Sequence, residues 1–140
     1  FPRITSGEMF QQVDYRCRTL AYIVPRGPFP AQTSFVTPDS CGQQVGYICR
    51  PAGDSIPRHF HRPVERKLVG TTEVLLVLKG RVAVDFYDDD RTHIAERVLD
   101  EGDLIVIVAG GHGFRMLTDA VMLEVKQGPY PGMAEEKERF

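Results

Sequence analysis

A chain of 140 residues, 42% hydrophobic and 26% charged, has the size and make-up of one domain that can bury a core without disulfide staples. Its 17 Lys and Arg against 19 Asp and Glu give a formal charge of −2, which leaves no electrostatic footprint for nucleic acid. No window approaches the roughly 18 apolar residues of a membrane span, and FPRITSGEMF lacks the apolar core of a secretory signal, so the expectation is no membrane and a cytoplasmic location.

From the N-terminus, RTLAYIV (18–24) is a candidate strand. The Pro-rich stretch 25–38 interrupts the pattern without the composition shift of a second domain, and reads as a loop or sheet edge. VGYIC (45–49) is a weaker strand, the end of the extended-looking stretch CGQQVGYIC bounded by Cys41 and Cys49. If that stretch is extended, its ends stand roughly 26 Å apart, whereas a disulfide needs Cα atoms within about 7 Å. With Cys17 as a third, odd thiol, reduced and packed cysteines are expected, in keeping with a reducing compartment.

The middle third carries the metal-ligand residue types. In RHFHRPVERK, His59 and His61 are two apart; on a strand, such residues share a face, so their imidazoles would project together toward one ion. Arg58, Arg62, Arg66 and Lys67 surround them, with Glu65 among them. This basic run is either a clamp for a carboxylate or phosphate or a solvated loop. Thr71 and Thr72 then precede Glu73, either orienting it by hydrogen bonds or filling strand positions. Glu73 opens the apolar strand EVLLVLK, in which Val74, Leu76 and Leu78 fall on the face opposite it.

The dominant period along the rest is two. RVAVDFY puts Val82, Val84 and Phe86 on one face; HIAERVL is a weaker strand, and its His93, next to a run of acids, reads as a solvated turn residue. LIVIV (104–108) is apolar on both faces and should lie deep in a sheet. GGHGF brings His112, and VMLEVK sets Val121, Leu123 and Val125 against Met122, Glu124 and Lys126 as a half-buried strand. Lys79-Gly80, 88–90, 101–103 and 109–111 supply the turns. The charged GMAEEKERF is short enough for a frayed end or one helical turn. Many short strands with Gly-rich turns predict an all-β sandwich or barrel.

Gly53, His59, His61, Glu73 and Gly80 resemble the first motif of the cupins, and Gly102, Gly110 and His112 resemble the second; the likeness covers roughly residues 45–126. Eleven residues, RPVERKLVGTT, separate His61 from Glu73 where the motif usually has only a few. Glu65 sits at that shorter spacing, but in a charged, Pro-containing run without the following Gly, so Glu73 is the preferred carboxylate. In the second motif Val108 replaces the usual Pro, the His comes one residue early and Met116 stands where Asn is frequent. Thr71, 73–75, 110–114 and 124–130 are similar to a group of small single-domain cupins ending in EVKQGPY, mostly without assigned activity and often encoded among sugar-nucleotide or polysaccharide genes.

The resemblance implies a single cupin domain over 1–140, a double-stranded β-helix (jelly-roll barrel), with N-terminal strands and loop in 1–42 and a tail at 131–140. It implies one divalent transition metal (Fe, Mn, Ni, Co or Zn) held by His59, His61, Glu73 and His112. Two function classes stay open: a metal-dependent isomerase, epimerase or dioxygenase acting on a small anionic or sugar-like molecule, and a non-catalytic module binding such a ligand. Arg58, Arg62, Arg66, Lys126 and Gln127 are the expected ligand contacts. Tyr130, Lys126 and Glu65 are the candidates for moving a proton. A homodimer is expected, through the outer face of the Glu73 strand.

Overall fold

The computed structural model describes residues 2–4, 7 and 9–140. Its strands are β1 (Gln11–Tyr15), β2 (Arg18–Val24), β3 (Ser34–Phe35), β4 (Gly46–Tyr47), β5 (Glu73–Lys79), β6 (Val82–Tyr87), β7 (His93–Leu99), β8 (Leu104–Ile107), β9 (Gly111–Met116) and β10 (Val121–Lys126), followed by one helical turn, α1 (Met133–Glu136). They form a five-stranded sheet, β1-β2-β8-β5-β10, a three-stranded sheet, β7-β6-β9, and the small pair β3-β4. All the strand pairings are antiparallel. The chain is therefore all-β as predicted, but among the described residues neither large sheet closes into a barrel. No helix there is long and apolar enough to cross a membrane.

The two large sheets share one core. Ala21, Ile23, Leu75, Val77, Ile105 and Ile107 of the larger sheet meet Val84, Phe86 and Leu99 of the smaller one. The alternation read in RVAVDFY thus places Val82, Val84 and Phe86 inward. LIVIV behaves as expected of a strand apolar on both faces. Ile105 and Ile107 join this core, while Val106 joins a second cluster with Phe10, Tyr22, Val24 and Val36, onto which Val45 and Tyr47 pack. The β3-β4 pair thereby covers the β2–β8 half of the larger sheet's outer face.

The turn from β5 to β6 requires glycine. Gly80 has φ +84°, and a Cβ there would lie 2.2 Å from the Asp119 carbonyl oxygen. Asp88, which opens the next turn, accepts hydrogen bonds from the Asp90 and Thr92 amides at 2.9 Å each.

Several expectations are corrected. On β10, Val121, Leu123 and Val125 face outward and are half exposed, whereas Met122, Glu124 and Lys126 pair in register with Val77, Leu75 and Glu73 and share their inward face. Alternation names two faces without saying which is inner, and β10 is an edge strand whose outer side is left uncovered among the described residues. The VGYIC strand shrinks to Gly46–Tyr47, and β1 and β3 had no clear signal. All three cysteines are free, but Cys17 is exposed rather than packed. His93 lies on β7, with Nε2 3.0 Å from Asp85 Oδ1 and its ring 5.4 Å from that of Tyr87.

The largest departure concerns the HFH region. Residues 51–71 form no strand, are exposed throughout, and from residue 55 onward make no backbone–backbone hydrogen bond among the described residues. Pro57 and Pro63, which lack the ladder N–H, bracket the two histidines.

Candidate functional site

A cleft of about 1220 Å³ opens beside the shared core, lined by Glu73, Leu75, His112, Phe114, Met122 and Glu124 among others. Glu73 begins β5 in the larger sheet and His112 lies on β9 in the smaller one. Their contact, His112 Nε2 to Glu73 Oε2 at 2.8 Å, ties the sheets together at this point. The Glu73 side chain is 8% exposed and that of His112 26%. The lead-in to β5 is fixed from β10's end: Gln127 accepts from the Thr72 amide at 2.9 Å and donates to the Thr72 hydroxyl. Thr72 therefore positions Glu73 through Gln127 rather than by bonding its carboxylate.

Electrostatics differentiate the two carboxylates. The hydrogen bond from His112 holds Glu73 well below its ordinary 4.5, at about 2, against the opposing effect of burial; Glu124 and the positive charge of Lys137 add to the lowering. Glu124 moves upward, first because it is desolvated and then because it hydrogen-bonds to the anionic Glu73. His112 Nε2 is the ring nitrogen that meets Glu73, and the buried His112 Nδ1 has no hydrogen-bond partner among the described residues. One imidazole and one carboxylate so placed are suitable donors for a divalent transition metal.

The other two predicted ligands are not brought to this pair. His59 and His61 do stand side by side, ring centroids 5.1 Å apart, as the two-residue spacing requires. They do so on the exposed segment, where His59 Nδ1 lies 2.7 Å from the Pro57 carbonyl oxygen. Among the described residues no three His, Cys, Asp or Glu side chains converge as a metal-binding group. The residues present thus fit a metal in donor chemistry at Glu73 and His112, and the remaining donors stand outside.

Of the two rival carboxylates, Glu73 is buried against His112 and Glu65 is exposed. Arg58, Arg62 and Arg66 lie on the same exposed segment, without ion pairs among the described residues. Lys126, on the inward face beside Glu73, donates to Glu136 and lies 5.4 Å from the Tyr130 ring. Tyr130 itself is 62% exposed. Gln127 lines the cleft.

Sequence reasoning missed Glu124 and the tail residues 135–140, which also line the cleft. Glu124 was legible in principle, because it alternates with Met122 and Lys126; recognising it required knowing that this face points inward. The tail gave no local signal. Comparison of the chain with protein-family models, curated proteins and solved structures returns no match.

Proposed function

We propose that the chain is a metal-binding cupin in which residues 51–71 close onto the cleft and deliver His59 and His61 to Glu73 and His112. The observation that carries this reading is the buried Glu73–His112 pair bridging two sheets, at the base of a segment that presents two adjacent imidazoles and runs directly into Glu73. The jelly-roll barrel is the closed form of the same architecture, with the segment supplying strands beside β9 and β10, the edge strands that line the cleft. A divalent Fe, Mn, Ni, Co or Zn ion held there supplies Lewis acidity or a binding point for a ligand oxygen.

The ligand class is a small anionic or sugar-like molecule, drawn in by Arg58, Arg62 and Arg66 once the segment closes. Glu124 favours an isomerase or epimerase, because it places a second titratable carboxyl at the cleft beside Glu73. A non-catalytic binding module is the alternative, favoured by the exposure of Tyr130 and Glu65, which leaves two of the three earlier acid–base candidates outside. A homodimer through the bare outer face of β5 and β10, with Leu78, Val121, Leu123 and Val125 half exposed, completes the reading.

Elemental analysis of protein purified without a histidine tag tests it. About one metal equivalent per chain, lost in Glu73→Ala and His112→Ala and kept in Glu65→Ala, is expected of a single ion held by these ligands. Absence of metal after reconstitution overturns the metal reading and leaves a ligand-binding domain.

A further inference from the structure

Residues 133–140 run across the cleft from one sheet to the other. Glu136, in α1, accepts from Lys126 at the end of β10; the two side chains are 6% and 23% exposed. Two residues further, Glu138 accepts from the Arg91 guanidinium in the turn between β6 and β7. Phe140 then stands edge-on to Tyr87, with centroids 5.1 Å apart and planes at 89°, and 5.4 Å from the Arg91 guanidinium carbon. Its ring packs so closely on Gly111 that a Cβ there would lie 3.2 Å away.

The tail is thus complementary in charge to the cleft. Its carboxylates meet cations belonging to the two sheets. We propose that residues 133–140 are a built-in occupant of the cleft, held by Lys126 and Arg91, and that an anionic ligand enters by displacing Glu136 and Glu138. This inference rests on the reading of the cleft as a site for an anionic molecule. A tethered carboxylate competes at an effective concentration in the millimolar range. A weak monoanion therefore loses to the tail, whereas a multiply charged anion such as a phosphate can displace a carboxylate from its cation. The two anchors differ in strength. The Arg91–Glu138 pair is open to water, with side chains 55% and 81% exposed, so it is the one to exchange first; the Lys126–Glu136 pair is shielded and releases last.

The test combines two measurements on three forms: the full chain, the Glu136→Gln/Glu138→Gln variant, and a chain ending at Gly132. The first is the rate at which a neutral maleimide labels Met122→Cys inside the cleft, with Cys17, Cys41 and Cys49 replaced by Ser. The second is the affinity for inorganic phosphate by calorimetry. Both altered forms are expected to label faster and bind phosphate more tightly by about tenfold, the factor for an occupant in place about nine-tenths of the time. Equal labelling in all three forms overturns the tail as an occupant. Faster labelling without phosphate binding by any form overturns the anion exchange, and locates the failure in the anionic-ligand reading rather than in the tail. Neither measurement needs bound metal.

Discussion

If metal closes residues 51–71 onto the cleft, it must also protect them from proteases. Trypsin cuts after Arg and Lys unless Pro follows, so Arg58, Arg66 and Lys67 are open sites while Arg62, ahead of Pro63, is not. Closure without metal is unfavourable on these residues. Burying Ile56, Phe60, Val64 and Val69, which are 54%, 99%, 60% and 89% exposed, returns about 1.5–3 kcal/mol for each at most. Fixing the backbone of a segment this long costs about 1–2 kcal/mol per residue, so the total cost exceeds that return by roughly twofold or more. Metal ligation and new ladder hydrogen bonds must supply the difference. A metal present at about 100 times its Kd stabilises the form that binds it by about 2.7 kcal/mol. Where opening is fast relative to cleavage, that slows tryptic cutting about 100-fold. The assay is the rate of loss of intact chain by mass spectrometry, with cut sites assigned, in chelator and in each candidate metal. His59→Ala/His61→Ala should be cut at the metal-free rate under all conditions. Cleavage at Arg58, Arg66 and Lys67 unchanged by every metal, or equal protection of the double variant, would refute closure through the histidines.

Three further outcomes are expected. The Arg115 and His93 hydrogen bonds hold Asp85 at about 2 against an ordinary 3.8, and His112 holds Glu73 at about 2 against 4.5. Because both folded values lie below the unfolded ones, their contribution is fully present above about pH 5 and is lost as pH falls toward 2; Asp85→Asn and Glu73→Gln should each flatten the fall of Tm over that window. Gly80→Ala, with φ +84° and a Cβ 2.2 Å from Asp119 O, should lower stability in urea unfolding by about 2–4 kcal/mol, strain plus clash, whereas Gly53→Ala, at the same φ with nothing within 4 Å, carries only the backbone strain of about 1–2 kcal/mol. Leu123→Lys should leave a folded monomer where light scattering finds the wild type dimeric; a variant that remains dimeric removes the β5–β10 face from the interface.

What the sequence made legible is what local chemistry encodes. Period-two alternation located β5, β6 and β10 and the Gly-rich turns separated them, because side-chain direction along a strand is a property of neighbouring residues. LIVIV announced a strand buried on both faces, and Ile105 and Val106 duly fall into different clusters. Glu73 was preferred over Glu65 because it opens an apolar strand, and it is the buried one of the two. Facing and register are different in kind. Whether Leu123 or Glu124 points inward depends on β10 pairing with β5 on one side only, a relation to residues almost fifty positions away that no window contains. The tail is the extreme case, since Glu138 and Phe140 acquire their roles only from Arg91 and Tyr87 across the cleft.

The HFH segment shows how the two kinds of information combine. Its spacing is locally correct, since the two rings lie side by side; its prolines and concentrated positive charge oppose strand formation by itself. Closing it needs a partner edge, and two such edges exist. β9 and β10 are each the last strand of their sheet, so each presents backbone groups unpaired along one side, and both line the cleft that contains Glu73 and His112. A segment added there satisfies those groups, aligns its own amides except at Pro57 and Pro63, and brings odd-numbered positions such as His59 and His61 to one face and Phe60 to the other. The same addition that would complete a metal centre would thus move the most exposed aromatic ring of the segment, at 99% exposure, toward a sheet's apolar surface. Binding and folding of residues 51–71 are, on this account, a single equilibrium, which is why protease protection and metal content should rise and fall together across the His59, His61, Glu73 and His112 variants.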